Sequence, residues 1–438
     1  MAPCSSLVLA LLVTTTTAEV ASGHSAGTVY ARPPPAFLVD LDAAPEARWR
    51  GAVGAVVAAH GWEHSFGASF AAHNATLFDA LLPEHYAALG AAVTAHFPEQ
   101  AAELRGLVAE FARYAPAAAA GAAAGAELVS FEYLCAWVWF HELDHTDLAS
   151  SSASTAAAAA ASTSDAASSD AASHRECTAI VAQDASGAIV HGRNMDQSPP
   201  SVRNCTLRLT FARGGAPLFE AVDWYWFTTG VMTAVRRSVA SLQENWRFTP
   251  TQPHAQVLAA AANGTLPQVF FFRQLLSRDY DSAAPAPAPA PAGGVVSAFG
   301  AVLGAIEATA FATGMYVVAA GSAPGEGAVV TKGSGPGVAL PTLLLADVMA
   351  ARNASAPAAD PAADYFLTQT NYDQPGPDPA GDARRTAAQR AMRALGQAEG
   401  ASALGVFAAI STAPVLNDDT AYTAVMRAAT GELHAFVR

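Results

Sequence analysis

The sequence predicts an α+β domain built in layers. Pairs of short β-rich runs joined by Gly-, Asp- and Ser-containing turns read as antiparallel hairpins. Segments with apolar residues at three-and-four spacing, charges between them, are grouped before and after these pairs and read as amphipathic helices. Grouped helices with many antiparallel hairpins give helix layers packed on sheet.

Taken in order, residues 1–23 read as a secretory signal: a short apolar run at 5–13, then small residues, too short to span a bilayer. Residues 24–148 form a helical amino-terminal region, with helices expected over 78–97 and 99–114, an Ala/Gly tract at 117–126 and a nearly all-apolar, aromatic run at 128–140. That run is either a buried strand and helix or a sticky surface. Residues 149–173 are almost entirely Ser and Ala and are expected to be a disordered insert. Residues 177–438 form a second region in which strands dominate. A hairpin of 177–183 and 188–193 surrounds a turn at 184–187. Strands at 206–211 and 217–226 flank Arg213-Gly214-Gly215, and strands at 315–320 and 327–332 flank 322–326. Further strands are expected at 365–370, 420–427 and 432–437, the last two joined through Gly431, with helices at 383–398 and 402–410. An alternating Ala/Pro stretch at 282–294 reads as an extended linker.

The formal charge is −14, and Lys332 is the one lysine. That balance argues against a nucleic-acid partner, which needs clustered cations. The run at 300–321 is interrupted by Glu307 and Gly314, so no bilayer span is expected after the signal. Sequons at Asn74, Asn204, Asn263 and Asn353 fit a secretory route. Cys4 leaves with the signal; Cys135, Cys177 and Cys205 remain, and an odd number leaves one thiol free.

Cys177 is the candidate for that thiol. It opens a strand whose return partner delivers Arg193, Asn194 and Asp196 beside it, so a nucleophile, a cation and a carboxylate converge. A thiol attacks an amide as thiolate and needs a base or cation nearby. If the chain is cut between Glu176 and Cys177, the new α-amine, with a pKa of about 8, lies close to its own sulfur and can act as general base.

Seven blocks carry a family resemblance: Cys177 to Asp184 (Cys-Thr-Ala-Ile-Val-Ala-Gln-Asp), His191-Gly192-Arg193-Asn194-Met195-Asp196, Gly230-Val231-Met232-Thr233, residues 316–321, Thr370-Asn371-Tyr372-Asp373, Arg384-Arg385-Thr386 and Thr412-Ala413-Pro414-Val415-Leu416-Asn417. In this order, over residues 30–438, the chain resembles the acid ceramidase and N-acylethanolamine acid amidase family; residues 33–49 also resemble the family's mature start. The resemblance implies an N-terminal-nucleophile hydrolase, an αββα sandwich of antiparallel sheets with a helical amino-terminal subunit, cut before its cysteine and working at acidic pH without a cofactor. It implies Cys177 as nucleophile, Arg193 and Asp196 flanking it, Asn371 as oxyanion donor, Arg384 as second arginine and Glu244 as a further acidic site residue. Its implied substrate is an amphiphilic lipid N-acyl amide, either ceramide or an N-acylethanolamine, and its implied partners are the two pieces of its own precursor. A lysosomal, vacuolar or extracellular location follows. Trp224-Tyr225-Trp226 departs from the family's smaller residues, which bears on acyl-pocket shape; the Ser/Ala insert and the missing carboxyl-terminal cysteines depart too.

Each site residue also has a structural reading: Arg193 and Asp196 as a hairpin-end ion pair, Asn371 as a turn residue, Arg384 as a solvated helix-start charge, Glu244 as a scaffold residue. Two other functions compete. His141-Glu142-Leu143-Asp144-His145 matches a zinc-peptidase pattern, with Glu142 as base if both histidines share a helix face. A non-catalytic lipid-binding relative is the other. The 128–140 run, with Trp137 and Trp139, is either a membrane-touching lip or packed against the second region.

Overall fold

The computed structural model describes residues 32–115, 129–147, 177–249, 252–280, 297–333, 340–354, 364–374 and 376–438. The expected signal at 1–23, the tract at 117–126, the insert at 149–173 and the linker at 282–294 lie outside the described residues, as does the Glu176 side of the expected cleavage point.

The described strands are β1 (Ala36–Asp40), β2 (Thr178–Gln183), β3 (Ile189–Asp196), β4 (Leu207–Arg213), β5 (Ala216–Asp223), β6 (Thr233–Arg236), β7 (Ala240–Trp246), β8 (Met315–Ala320), β9 (Gly327–Lys332), β10 (Thr342–Leu344), β11 (Phe366–Gln369), β12 (Thr420–Arg427) and β13 (Glu432–Val437). They form two sheets, β1-β4-β5-β6-β7-β8-β9-β10 and β11-β2-β3-β12-β13. All pairings are antiparallel except β1 with β4.

The sheets pack face to face. Ala179, Val181 and Ile189 of the smaller sheet meet Tyr316, Val318, Ala320 and Val329 of the larger. Strand alternation sends Ile180, Ala182, Val190 and Val425 the other way, onto Met392, Val406 and Ile410 of helices Arg384–Gly400 and Ala403–Ile410. At Gly192 a Cβ would overlap Val406 Cγ1, so this helix layer sits as close as it does because position 192 carries no side chain. Phe299, Val302 and Ile306 of helix Ala298–Ala308 cover the outer face of the larger sheet. The result is α+β in four layers: helix, sheet, sheet, helix.

The amino-terminal region contributes helices and a strand. Helix Pro98–Tyr114 starts on a proline at its first turn, where the missing N–H costs nothing, and buries Ala101, Leu104, Leu107 and Phe111 along one stripe. The helix expected over 78–97 is divided at Pro83: a short 3₁₀ turn, Phe78–Ala80, precedes helix Pro83–His96. The 128–140 run resolves into helix Phe131–Val138, capped by Ser130, whose Oγ accepts the Tyr133 amide at 3.1 Å. Trp137 and Trp139 are fully buried, so this run is core, and the membrane-touching lip is set aside for it. Trp137 packs on Phe78 at 4.7 Å and Phe227 at 5.1 Å between ring centroids, and Trp49 on Trp226 at 5.6 Å. Trp224, Tyr225 and Trp226 are likewise fully buried. These large residues cement the amino-terminal helices to the larger sheet. Arg273 of helix Gln268–Leu276 adds a buried ion pair to Glu103, which also accepts from Trp49 Nε1 at 2.6 Å.

Candidate active site

The β2–β3 hairpin builds the centre. Asp184 folds its turn: Oδ1 accepts the amides of Ser186 at 2.8 Å and Ala188 at 2.9 Å, and Gly187 takes φ of 91°. The register then sets Thr178 opposite Asn194 and Ala179 opposite Arg193, so Cys177 stands at the level of Met195. Alternation points His191, Arg193 and Met195 between the sheets. Asn194 points outward, donating to the Ile410 carbonyl at 2.7 Å.

Arg193 is fully buried, and its Nη2 lies 3.2 Å from Cys177 Sγ and 2.8 Å from Met195 Sδ. Its Nη1 donates to the Met232 carbonyl. Burial opposes charge on this guanidinium, but Cys177, Tyr422, Glu244 and Asp223 around it drive its pKa upward. Cys177 is buried too, at 4% exposure.

Arg384, at the start of its helix, joins Cys177 to two more of the expected residues, Asp196 and Asn371. Its Nη1 lies 3.3 Å from the Cys177 carbonyl oxygen and 3.4 Å from Asp196 Oδ2; its Nη2 donates to Asn371 Oδ1 at 3.0 Å. Asp382 holds it from the other side, at 2.9 Å to Nε and 2.7 Å to Nη2. Asp196 also accepts from Asn417 Nδ2 at 2.8 Å and Thr420 Oγ1 at 2.7 Å. Burial pushes the Asp196 carboxyl up, while Arg384, Thr420 and Asn417 pull it down. Asn371 donates one amide hydrogen to the Trp246 carbonyl at 2.9 Å.

Glu244, on β7, is 2% exposed, and among the described residues neither carboxyl oxygen has a hydrogen-bond partner. Burial raises it to about 8; Arg193 pulls the other way, and Glu142 and Asp223 add to the rise. Its main-chain N–H donates to the Met232 carbonyl at 3.2 Å, which ties it to the Arg193 contact. Cys177, Arg193, Asp196, Asn371 and Arg384 thus meet by direct contact, and Glu244 joins through Met232 and the field of Arg193.

Four supporting residues escaped the sequence reading. Asp382, two positions before Arg384, accepts that residue's own N–H at 3.1 Å, a local Asp signature visible in sequence. Asn417 lies in a matched block but carried no role there, and Thr420 and Asp223 gave no signal.

The His141–His145 motif is elsewhere occupied. Its helix, Phe140–Leu143, ends before His145, so the two histidines do not share a helix face. His145 stacks on Trp246 with centroids 3.5 Å apart. Burial drives His141 down to about 3, and Arg193 adds to the effect. Glu142 Oε1 accepts the Gln268 amide at 2.8 Å, and burial raises the carboxyl to about 7. Among the described residues no group of three His, Cys, Asp or Glu side chains is placed to hold a metal ion, and no helix is long and apolar enough to cross a membrane.

No family model matches the chain. An N-acylethanolamine-hydrolyzing acid amidase of Cavia porcellus is 30% identical over 263 residues, 58% of this chain and 62% of the relative. A probable acid ceramidase of Caenorhabditis elegans is 27% identical over 282 residues, 60% of this chain and 62% of the relative. The acid ceramidase of Homo sapiens is 24% identical over 280 residues, with the same two shares. Among solved structures, the Caenorhabditis elegans N-acylethanolamine-hydrolyzing acid amidase ortholog aligns with a TM-score of 0.46 and 24% identity, covering 58% of this chain and 93% of that one. The matches span about three-fifths of the length of these curated relatives, and over that span the chain is similar to the acid ceramidase and N-acylethanolamine-hydrolyzing acid amidase family.

Proposed function

We propose that this protein is a self-processing cysteine amidohydrolase that cleaves the amide bond of lipid N-acyl amides. The observation that carries the reading is the Arg193 guanidinium 3.2 Å from the sulfur of Cys177, the residue immediately before β2, with the Cys177 carbonyl held by Arg384.

In maturation, the Cys177 sulfur adds to the carbonyl carbon of residue 176. The carbon–nitrogen bond to Cys177 breaks, the nitrogen takes up a proton as an α-amine, and a thioester forms. Water hydrolyses the thioester, leaving a carboxylate on residue 176 and a free thiol. In turnover the same sulfur attacks the substrate amide. The α-amine accepts the thiol proton and passes it to the departing amine, and water then releases the fatty acid and regenerates the thiol. Arg193 favours the thiolate. Arg384 and Asp196 fix the amino-terminal residue, and Asn371 offers its second amide hydrogen to the oxyanion, worth about 3 kcal/mol for one such donor. Glu244, raised to about 8, is a neutral acid at acidic and neutral pH and donates to the leaving amine or the oxyanion.

The cut leaves an amino-terminal piece ending before 177 and a carboxyl-terminal piece beginning there. They stay joined through the β1–β4 pairing, the Trp137 and Trp49 packing and the Glu103–Arg273 pair. Acidic conditions fit the secretory signal read at 1–23, and a lysosomal, vacuolar or extracellular destination completes the reading.

Purified chain incubated at mildly acidic pH should yield a fragment whose first residue is Cys177. It should release fatty acid from N-acylethanolamine or from ceramide, assayed separately. Cys177→Ala should do neither. An intact parent chain that binds these lipids without turnover would move the assignment to a binding protein.

A further inference from the structure

Asp223 ends β5 and is fully buried, and among the described residues no charged side chain donates to it. Its carboxylate spans the loop that leads to β6. Oδ1 accepts the Tyr225 amide at 2.9 Å, and Oδ2 accepts the Met232 amide at 2.6 Å. The carbonyl of the same Met232 accepts from Arg193 Nη1, and Arg193 Nη2 faces the Cys177 sulfur. One main-chain unit therefore separates the Asp223 carboxylate from the cation beside the thiol. The Glu244 amide shares that carbonyl at 3.2 Å, so Met232 serves both residues.

We propose that Asp223 is a positioning residue for the nucleophile: by clamping the Met232 main chain it fixes the carbonyl that holds the Arg193 guanidinium against Cys177 Sγ. The inference rests on Cys177 being the nucleophile. The loop has a separate anchor that does not depend on Asp223. The Val231 amide donates to the Val269 carbonyl at 3.0 Å, and at Gly230 a Cβ would overlap that same carbonyl, so the loop lies directly on helix Gln268–Leu276. Losing the clamp thus frees Met232 by a small rotation without detaching the loop. The carboxylate suits the task because it accepts on both oxygens, whereas an amide accepts on one and sets an N–H₂ against the second backbone N–H.

The test is Asp223→Asn, matured by incubation at mildly acidic pH and then measured at about pH 7.5, above the value of about 6 to which burial raises the carboxyl, so that the parent carries the ionised clamp. The rate of Cys177 alkylation by iodoacetamide at fixed pH, located by mass spectrometry, should fall about tenfold, the loss expected for one charge-assisted hydrogen bond. On an N-acylethanolamine substrate kcat should fall by a similar factor with KM within about twofold. In the unsubstituted chain the Met232 amide hydrogen should exchange slowly. Rapid exchange there, or alkylation and kcat of the folded variant within about twofold of the parent, overturns the inference. Alkylation needs no substrate. Slowed alkylation in the variant together with a parent inactive on both lipid classes supports the clamp and rejects the proposed activity, so the two failures are distinct.

Discussion

Asp196 and Glu244 are both buried acidic side chains at the Cys177 centre, and their surroundings are opposite. Asp196 receives three donors, Arg384, Asn417 and Thr420, on its two oxygens. Burial and the nearby Asp419 leave the Asp196 carboxyl raised on balance, and these three donors work against that rise by favouring the ionised, acceptor-only form. Glu244 receives none among the described residues and shares its surroundings with Glu142 and Asp223, two further carboxyls raised by burial. On the proposed reading, the saturated end fixes atoms in place, and the Glu244 end, where burial raises the carboxyl to about 8, holds a proton. A cysteine amidase needs both, one to hold the amino-terminal residue and one to supply a hydrogen to a departing amine.

Substitution at the saturated end should cost the most stability. Asp196→Ala leaves Arg384 buried with Asp382 as its remaining carboxylate and removes one partner each from the Asn417 amide and the Thr420 hydroxyl. Breaking such a buried pair costs about 3–5 kcal/mol of unfolding free energy, readable by denaturant titration. A loss under about 1 kcal/mol would mean Asp196 is not the keystone of that end. Glu244→Gln should show the reverse pattern. The carboxyl is already neutral and unpartnered, so stability should move by about 1 kcal/mol or less. Turnover should nevertheless fall about 100-fold through loss of the proton donor, and any residual activity should lose its decline toward pH 8. Equal effects of the two substitutions on stability would break the comparison.

The same contrast predicts a pH profile of stability. Glu244, Glu142 and Asp223 have folded-state values of about 8, 7 and 6, all raised by burial. In the unfolded chain they ionise near ordinary carboxyl values. Their contribution is therefore complete at low pH and is lost as pH rises through the folded values. His73, His141 and His191 run the other way. Burial lowers them to about 4, 3 and 3 from 6.5, so their contribution is present above 6.5 and is lost as pH falls. Between pH 6.5 and 8 the carboxyls act alone, and Tm should fall as pH rises; below 6.5 the two sets oppose and the curve should flatten. Glu244→Gln should remove much of the fall above 6.5.

At the saturated end the sequence shows the Cys-led hairpin that brings Arg193 and Asp196 beside Cys177, whereas Arg384 and Asn371 enter only through the family resemblance, and Asp382, Asn417 and Thr420 are not read there at all. The hairpins and grouped helices indicate an α+β layered domain, and the stacking of two sheets is what the family resemblance implies. Other parts were not legible. The strand β1 joins the larger sheet parallel to β4, a pairing across the whole amino-terminal region that no local pattern announces. Strands β6 and β7 were not read as strands. The buried carboxyls around Glu244 come from separate elements, so only the packing brings them together. The aromatic run at 128–140 was ambiguous because periodicity cannot distinguish a buried helix from a sticky surface, and the contacts of Trp137 decide it.

The smallest expected effect concerns His145, and it separates two chemistries that the sequence left open. Were His141 and His145 zinc ligands, removing either would abolish activity and metal binding together. The structure gives them different tasks: His141 lies buried edge-on to Tyr225, while His145 lies flat on Trp246, whose carbonyl receives the Asn371 amide. His145→Ala should therefore cost about 1 kcal/mol of stability, the worth of a stacked ring pair, and raise KM modestly through the Trp246 main chain that steadies Asn371. Dialysis against a chelator should leave turnover unchanged in parent and variant alike. Stoichiometric zinc in the parent, lost in His145→Ala along with all activity, would transfer the catalytic role from the cysteine to the histidine motif.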